Sequence, residues 1–119
     1  FVFYLYFTGE ITDIGSGAGI PSGYSLKQNF PNPFNPETVI RYSLMVNSQV
    51  NLTIYDIQGR KVRTLIDGRR ETGNDQRVVW DGKDDHGNEV ASGVYFYELR
   101  SMDTGGKSFV QTRKMVLMR

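Results

Sequence analysis

Residues 48–57 read SQVNLTIYDI. In an extended chain Val50, Leu52 and Ile54 fall on one face and Asn51, Thr53 and Tyr55 on the other, the period-2 pattern of a strand with one buried side. QGRK (58–61) follows as a turn, and KVRTLI (61–66) returns as its hairpin partner. The same alternation recurs on both sides of this hairpin. Downstream, DGRRETGNDQ (67–76) reads as a polar connection. RVVWDG (77–82) is a strand carrying the single tryptophan, and KDDHGNEVASG (83–93) is a loop with two glycines. VYFYELRS (94–101) is a strand, MDTGGK (102–107) a turn and SFVQTRKMVLM (108–118) the last strand. Upstream, ETVIRYSL (37–44) and YSLKQ (24–28) are strands. Between them NFPNPFNP (29–36) holds three prolines and reads as an extended, sheet-free segment that Phe30 and Phe34 pin to the core edge.

Seven strands with short turns in about 100 residues predict an all-β fold, an Ig-like antiparallel β-sandwich over residues 24–119. Val50, Leu52, Ile54, Val78, Trp80, Tyr95 and Tyr97 are its expected inward positions, with Phe96 as the alternative to Tyr95 and Tyr97. No stretch carries the 3.6-residue period of a helix. Residues 15–23, GSGAGIPSG, have the composition of a linker. The chain therefore divides into an apolar strand (1–12), a Gly/Ser-rich linker (13–23) and the sandwich (24–119).

Composition excludes several functions. Fourteen Lys and Arg stand against thirteen Asp and Glu, a net charge of +1. That leaves no basic stripe for nucleic acid and no polybasic segment for an anionic membrane. With no cysteine and one histidine, disulfides, zinc-thiolate sites and multi-histidine centres are ruled out. FVFYLYF at the start is too short to span a bilayer, which takes about 20 apolar residues, so no membrane insertion is expected. It also lacks the basic n-region and small-residue cleavage site of a signal peptide.

His86 lies in DGKDDHGNE beside Asp84 and Asp85, but no nucleophile or oxyanion site accompanies it, and an exposed hairpin tip explains it. Asp81, Asp84, Asp85 and Glu89 are hard oxygen donors. Counted from Asp81 as an EF-hand loop, however, position 3 is Lys83, position 6 is His86 and position 12 is Ser92, so the calcium pattern fails. Turn chemistry accounts for the aspartates and glycines instead. The basic residues of GRKVRTLIDGRR alternate on a strand and read as solvated charge. Asn51-Leu52-Thr53 has the form of a glycosylation sequon but lies mid-strand. SGAGIPSG lacks the lysine and spacing of a phosphate loop. No catalytic residue, metal ligand or cofactor is expected.

YSLKQNFPNPFNPETVIRYSL, LTIYDIQGRKVRTL, VVWDGKDDHGNEVASGVYFYEL and the closing TRKMVLMR together resemble the type A C-terminal sorting domain of type IX secretion cargo. The Trp-Asp-Gly to Ser-Gly-Val-Tyr block is also similar to the Ig-like domain of flagellar hook-capping proteins. The resemblance covers residues 24–119. It implies an Ig-like sandwich without catalytic activity, made by a Gram-negative bacterium and exported by the type IX machinery to the outer surface or beyond. It also implies that the recognised signal lies in the terminal strand, here Arg113, Lys114, Met115, Val116, Leu117 and Arg119. A sorting domain trails a large cargo and is cut off after export. Here 23 residues precede it, so the expectation is either a fragment or a sandwich that belongs to the final product.

FVFYLYFTGEIT, written as a strand, puts Phe1, Phe3, Leu5, Phe7 and Ile11 on one face and Val2, Tyr4, Tyr6 and Glu10 on the other. Burying three Phe and a Leu is worth about 6–12 kcal/mol gross. Three readings follow: exchange into a second copy as a donor strand, packing on its own sandwich, or the remnant of a preceding domain. The first makes Phe1, Val2, Phe3, Tyr4, Leu5, Tyr6, Phe7 and Ile11 a subunit interface. It makes the protein a non-catalytic extracellular homopolymer, because head-to-tail exchange grows filaments. The alternative is a cleavable type IX sorting signal. A carbohydrate- or surface-binding module ranks third and an enzyme last.

Overall fold

The computed structural model describes residues 24–119. Seven strands run in order: β1 Ser25–Leu26, β2 Thr38–Leu44, β3 Ser48–Asp56, β4 Lys61–Arg70, β5 Gly73–Trp80, β6 Gly93–Asp103 and β7 Ser108–Leu117. They form a three-stranded sheet β1-β2-β5 and a four-stranded sheet β4-β3-β6-β7, with every neighbouring pair antiparallel. This is the expected all-β, Ig-like sandwich, with no helix among the described residues.

The alternation in β3 holds. Val50, Leu52 and Ile54 are fully buried, and opposite them on β6 lie Leu99 and Tyr97, also buried. Ile40, Tyr42 and Leu44 of β2 face them from the other sheet. Trp80 closes the centre with no exposed surface. Its ring lies 5.7 Å from that of Phe34 and meets Tyr95 edge-on at 5.4 Å, the geometry that aromatic quadrupoles favour. Tyr95 is buried as expected, and Val78 packs partly buried against the cluster.

Three expectations need correction. DGRRETGNDQ is mostly strand: β4 continues to Arg70, paired with Ser48, and β5 begins at Gly73, paired with Leu44. These residues lack an apolar face because they are the outer ends of edge strands, where the ladder needs only backbone groups and the side chains stay in water. Phe30 does not pin the proline run to the core, since 76% of it is exposed. Its backbone does the holding instead, exchanging two hydrogen bonds with Val39 at 3.0 and 2.9 Å. For the same reason the run is not sheet-free, because the residues between the prolines keep their own donors and acceptors. Phe34 is buried as expected.

Candidate functional site

β7 is the outer strand of the four-stranded sheet, and the residues of the resemblance-derived signal divide by face. Met115 and Leu117 are buried in the core. Arg113 is also directed inward but stops at the sheet edge, where its Nε donates to the Leu26 carbonyl at 2.5 Å. Gln111, two residues earlier on the same face, accepts from the Leu26 amide through Oε1 at 3.3 Å. Two side chains of β7 thus serve both backbone groups of a residue in two-residue β1. Lys114 is exposed and stands opposite Phe96, while Val116 is half-buried opposite Val94. The outward face of β7 is therefore Val110, Thr112, Lys114 and Val116.

The backbone edge of β7 is covered by the proline-rich segment. Gln28 Nε2 donates to the Lys114 carbonyl at 2.7 Å, and Asn32 Oδ1 accepts from the Val116 amide at 3.0 Å. The Phe34 amide donates to the Val116 carbonyl at 3.0 Å, and the Met118 amide donates to the Phe34 carbonyl at 2.9 Å. Residues 28–34 form a strap that occupies the edge from Lys114 to Met118. Edge strands left open are templates for further pairing, so such a cover limits what can add there. The edge of β4 has a smaller cover: the Asp85 amide donates to the Val62 carbonyl, and its Oδ1 accepts from the Thr64 amide, both at 3.0 Å.

Arg119 is seated on the loop after Trp80. Its Nη2 donates to the Gly82 carbonyl and its Nε to the Val90 carbonyl, both at 2.7 Å, and its amide donates to Ser92 Oγ at 2.8 Å. Glu89 lies 3.8 Å from Nη1. Gly82 makes room for this: its φ is +76°, and a Cβ there would stand 2.8 Å from Arg119 Nη2 and 3.1 Å from the Pro36 carbonyl. Trp80 Nε1 donates to the Lys83 carbonyl at 2.9 Å, and Arg63 pairs with Asp81 at 3.3 Å. The Trp-Asp-Gly block, the proline-rich segment and the chain end therefore meet in one place.

The loop aspartates are committed to turns. Asp56, Asp84 and Asp103 each begin the same five-residue turn, DIQGR, DDHGN and DTGGK. In each, one carboxylate oxygen accepts from the amides two and four residues on, at 2.9–3.0 Å. In each, the glycine three residues on has φ between +82° and +86°. This is the three-residue hairpin loop with a left-handed glycine. Bonds from the Asn88 and His86 amides hold the Asp84 carboxyl below its usual value. For Asp56, burial pushes the other way and is outweighed by bonds from Arg60 and Gln58, so its pKa is also lowered. His86 is exposed at the tip, and no cluster of metal-ligating side chains occurs among the described residues. The repeated D-x-x-G-x spacing is a signal that reading the loops one at a time passes over.

The expected subunit interface at Phe1, Val2, Phe3, Tyr4, Leu5, Tyr6, Phe7 and Ile11 lies outside the described residues. Among the described residues no helix is long and apolar enough to cross a membrane.

The crystal structure of PorU from Porphyromonas gingivalis aligns with a TM-score of 0.65 at 21% identity, over 83% of this chain and 10% of that one. FlgD from P. aeruginosa aligns with a TM-score of 0.52 at 28% identity, over 68% of this chain and 60% of that one. The chain thus spans a tenth of PorU and about three fifths of FlgD. No curated protein matches it. The family described as the FlgD Ig-like domain matches residues 39–105, from β2 to the β6–β7 turn. With more than half of its length matched, the chain belongs to the FlgD Ig-like domain family.

Proposed function

We propose that the sandwich is a non-catalytic sorting module of a secreted protein, read by type IX secretion machinery and delivered to the outer surface of a Gram-negative bacterium or beyond. The supporting observation is the construction of β7. Met115, Leu117 and Arg113 fix the strand from its inner face, the strap takes its edge, and Lys114 is left exposed on the remaining face. From Lys114 to Met118 a partner then meets side chains of a folded surface, because the backbone edge there is already bonded. The test is a fusion of residues 24–119 behind a secreted reporter in a type IX-competent host. The reporter should reach the medium, and Lys114→Glu should lower its export without unfolding the domain. A folded fusion that stays in the periplasm would overturn the reading.

A second reading keeps the apolar stretch 1–12 as a donor strand that links copies into filaments. It is favoured by β5, the outer strand of the three-stranded sheet, where Val79 is 51% exposed and no described strand lies alongside. Deleting residues 1–12 should then abolish assembly, read by light scattering, and leave the circular dichroism of the sandwich intact. An assembling deletion variant would remove this reading and leave the first untouched.

A further inference from the structure

The outward face of the three-stranded sheet carries two rows of unlike character. Phe30, Val39 and Val79 stand side by side across the proline-rich run, β2 and β5, because Phe30 pairs with Val39 and Val39 with Val79. Phe30 is 76% exposed and Val79 51%. Two residues further along β2, Arg41 pairs with Arg77, and the Lys27 amide donates to the Arg41 carbonyl at 2.9 Å. Alternation puts Lys27, Arg41 and Arg77 on the same outward face. The Asp75 carboxylate lies between the two guanidiniums, 3.6 Å from Arg41 and 3.3 Å from Arg77. Among the described residues one carboxylate thus pairs with a row of cations that lie far apart in the sequence.

The backbone of β5 is open beside both rows. Val39 gives its amide and carbonyl to Phe30, and the Arg41 carbonyl goes to Lys27. In an antiparallel ladder the residue directly across then turns its own groups the other way. The amides and carbonyls of Val79 and Arg77 therefore point off the sheet edge, where no hydrogen bond from a described residue reaches them. Other edges have groups that are served: Leu26 of β1 by Gln111 and Arg113, and Thr64 of β4 by Asp85. We propose that the β5 edge takes an extended segment of a partner protein, added antiparallel, with an apolar residue opposite Val79 and, two residues later, a carboxylate opposite Arg77. Each added side chain continues one row at the strand spacing of about 4.8 Å. The carboxylate supplies the charge that the cationic row lacks, and the ladder supplies the hydrogen bonds. Residues 1–12 do not offer this pair, since Glu10 has Thr8 and Thr12 two positions away. The proposal rests on neither reading of the function.

The test is a titration of the full chain, followed by backbone amide resonances. The probe is a capped peptide of threonines carrying one valine and, two residues later, one glutamate. The Arg77 and Val79 amides should shift and exchange more slowly with solvent. A peptide with the valine and glutamate adjacent should bind at least about threefold more weakly, because its two side chains then fall on opposite faces. Arg77→Glu, with unchanged circular dichroism, should weaken the first peptide by about fivefold or more, and lysine in place of the peptide glutamate should restore binding to that variant. Unmoved Arg77 and Val79 amides, or equal affinity of all peptides for parent and variant, would overturn the proposal. Shifts of the same amides with protein concentration alone would overturn it in favour of a second copy. Peptide binding that appears only after deletion of residues 1–12 would overturn it in favour of that stretch as occupant.

Discussion

The Tyr97 hydroxyl accepts from the Asn29 backbone amide at 2.8 Å and donates to the Lys27 carbonyl at 2.7 Å. One β6 side chain thus serves two backbone groups where a two-residue strand passes into a proline-rich run. Around it Asn29 Nδ2 donates to Thr38 Oγ1 at 2.9 Å, and the Thr38 hydroxyl donates to the Pro31 carbonyl at 2.8 Å. Asn29, Thr38 and Tyr97 are all buried, and the knot holds the start of the strap against the core.

Tyr97→Phe keeps the ring and removes the oxygen, leaving a buried amide and a carbonyl without their partner. The expected loss is about 2–4 kcal/mol in urea unfolding, from the usual cost of unsatisfied buried groups. Burial pushes the Tyr97 hydroxyl up to about 12. Between pH 10 and 12 the folded state keeps a proton that the unfolded state has released. This group's contribution is therefore complete below about pH 10 and is lost as the pH rises towards 12. Tyr42, Tyr55 and Tyr95 are raised in the same sense, so the comparison is with the parent. The variant should lose stability less steeply on the alkaline side; an unchanged slope would refute the assignment.

Gly59→Ala and Gly82→Ala separate backbone strain from collision. Both glycines have positive φ, but a Cβ at Gly59 meets nothing within 4 Å, whereas one at Gly82 meets Arg119 and Pro36. The first should cost about 1–2 kcal/mol from left-handed backbone alone. The second should cost more and should restore part of the difference when Arg119 is shortened to Ala. Thermal melts of the two singles and the Gly82/Arg119 double variant give the answer, and equal costs would show that Arg119 is not seated there.

Arg113 and Lys114 are neighbours on β7 with different duties. Arg113→Ala should destabilise the sandwich by about 1–2 kcal/mol, because the Leu26 carbonyl loses its donor. Lys114→Glu, on the exposed face, should stay within about 0.5 kcal/mol of the parent. Chemical denaturation distinguishes them. A large loss with Lys114→Glu would mean that this face supports the fold and is not free for a partner.

Chelation by EDTA should leave the melting temperature unchanged, and added calcium should not raise it. Asp84 Oδ1 already accepts two backbone amides. Because the Asp84 and Asp56 carboxyls are lowered, the turns they hold contribute above the ordinary carboxylate pKa and weaken as the pH falls through the shifted values. Asp84→Asn should shallow that acid dependence. A calcium-reversible drop of several degrees would contradict this reading of the loop.

The sandwich was legible because its core strands alternate cleanly: Val50, Leu52 and Ile54 share one apolar face, and Trp80, alternating with Val78, reads as core ahead of a ligand-stacking role. The outer ends of β4 and β5 were not legible, because an edge strand in water has no apolar face to betray it. Phe30 misled because an aromatic among prolines suggests a hydrophobic anchor, whereas its amide and carbonyl do the anchoring. The site was half legible. The closing TRKMVLMR pointed to β7. The strap over its edge and the seat of Arg119 on Gly82 join residues more than 30 positions apart, and no local spacing encodes them.

The strap has a consequence for life in a crowd. A last strand with bare amides and carbonyls would let like molecules zip together wherever they are dense. With residues 28–34 laid along β7 from Lys114 to Met118 and Asp85 against Val62 and Thr64 of β4, those stretches of edge already have their partners. The β5 flank has no described strand beside it. There Asp75, at φ 58°, and the shifted register opposite Tyr42 and Leu44 bend the strand, so only a segment shaped to that bend would fit.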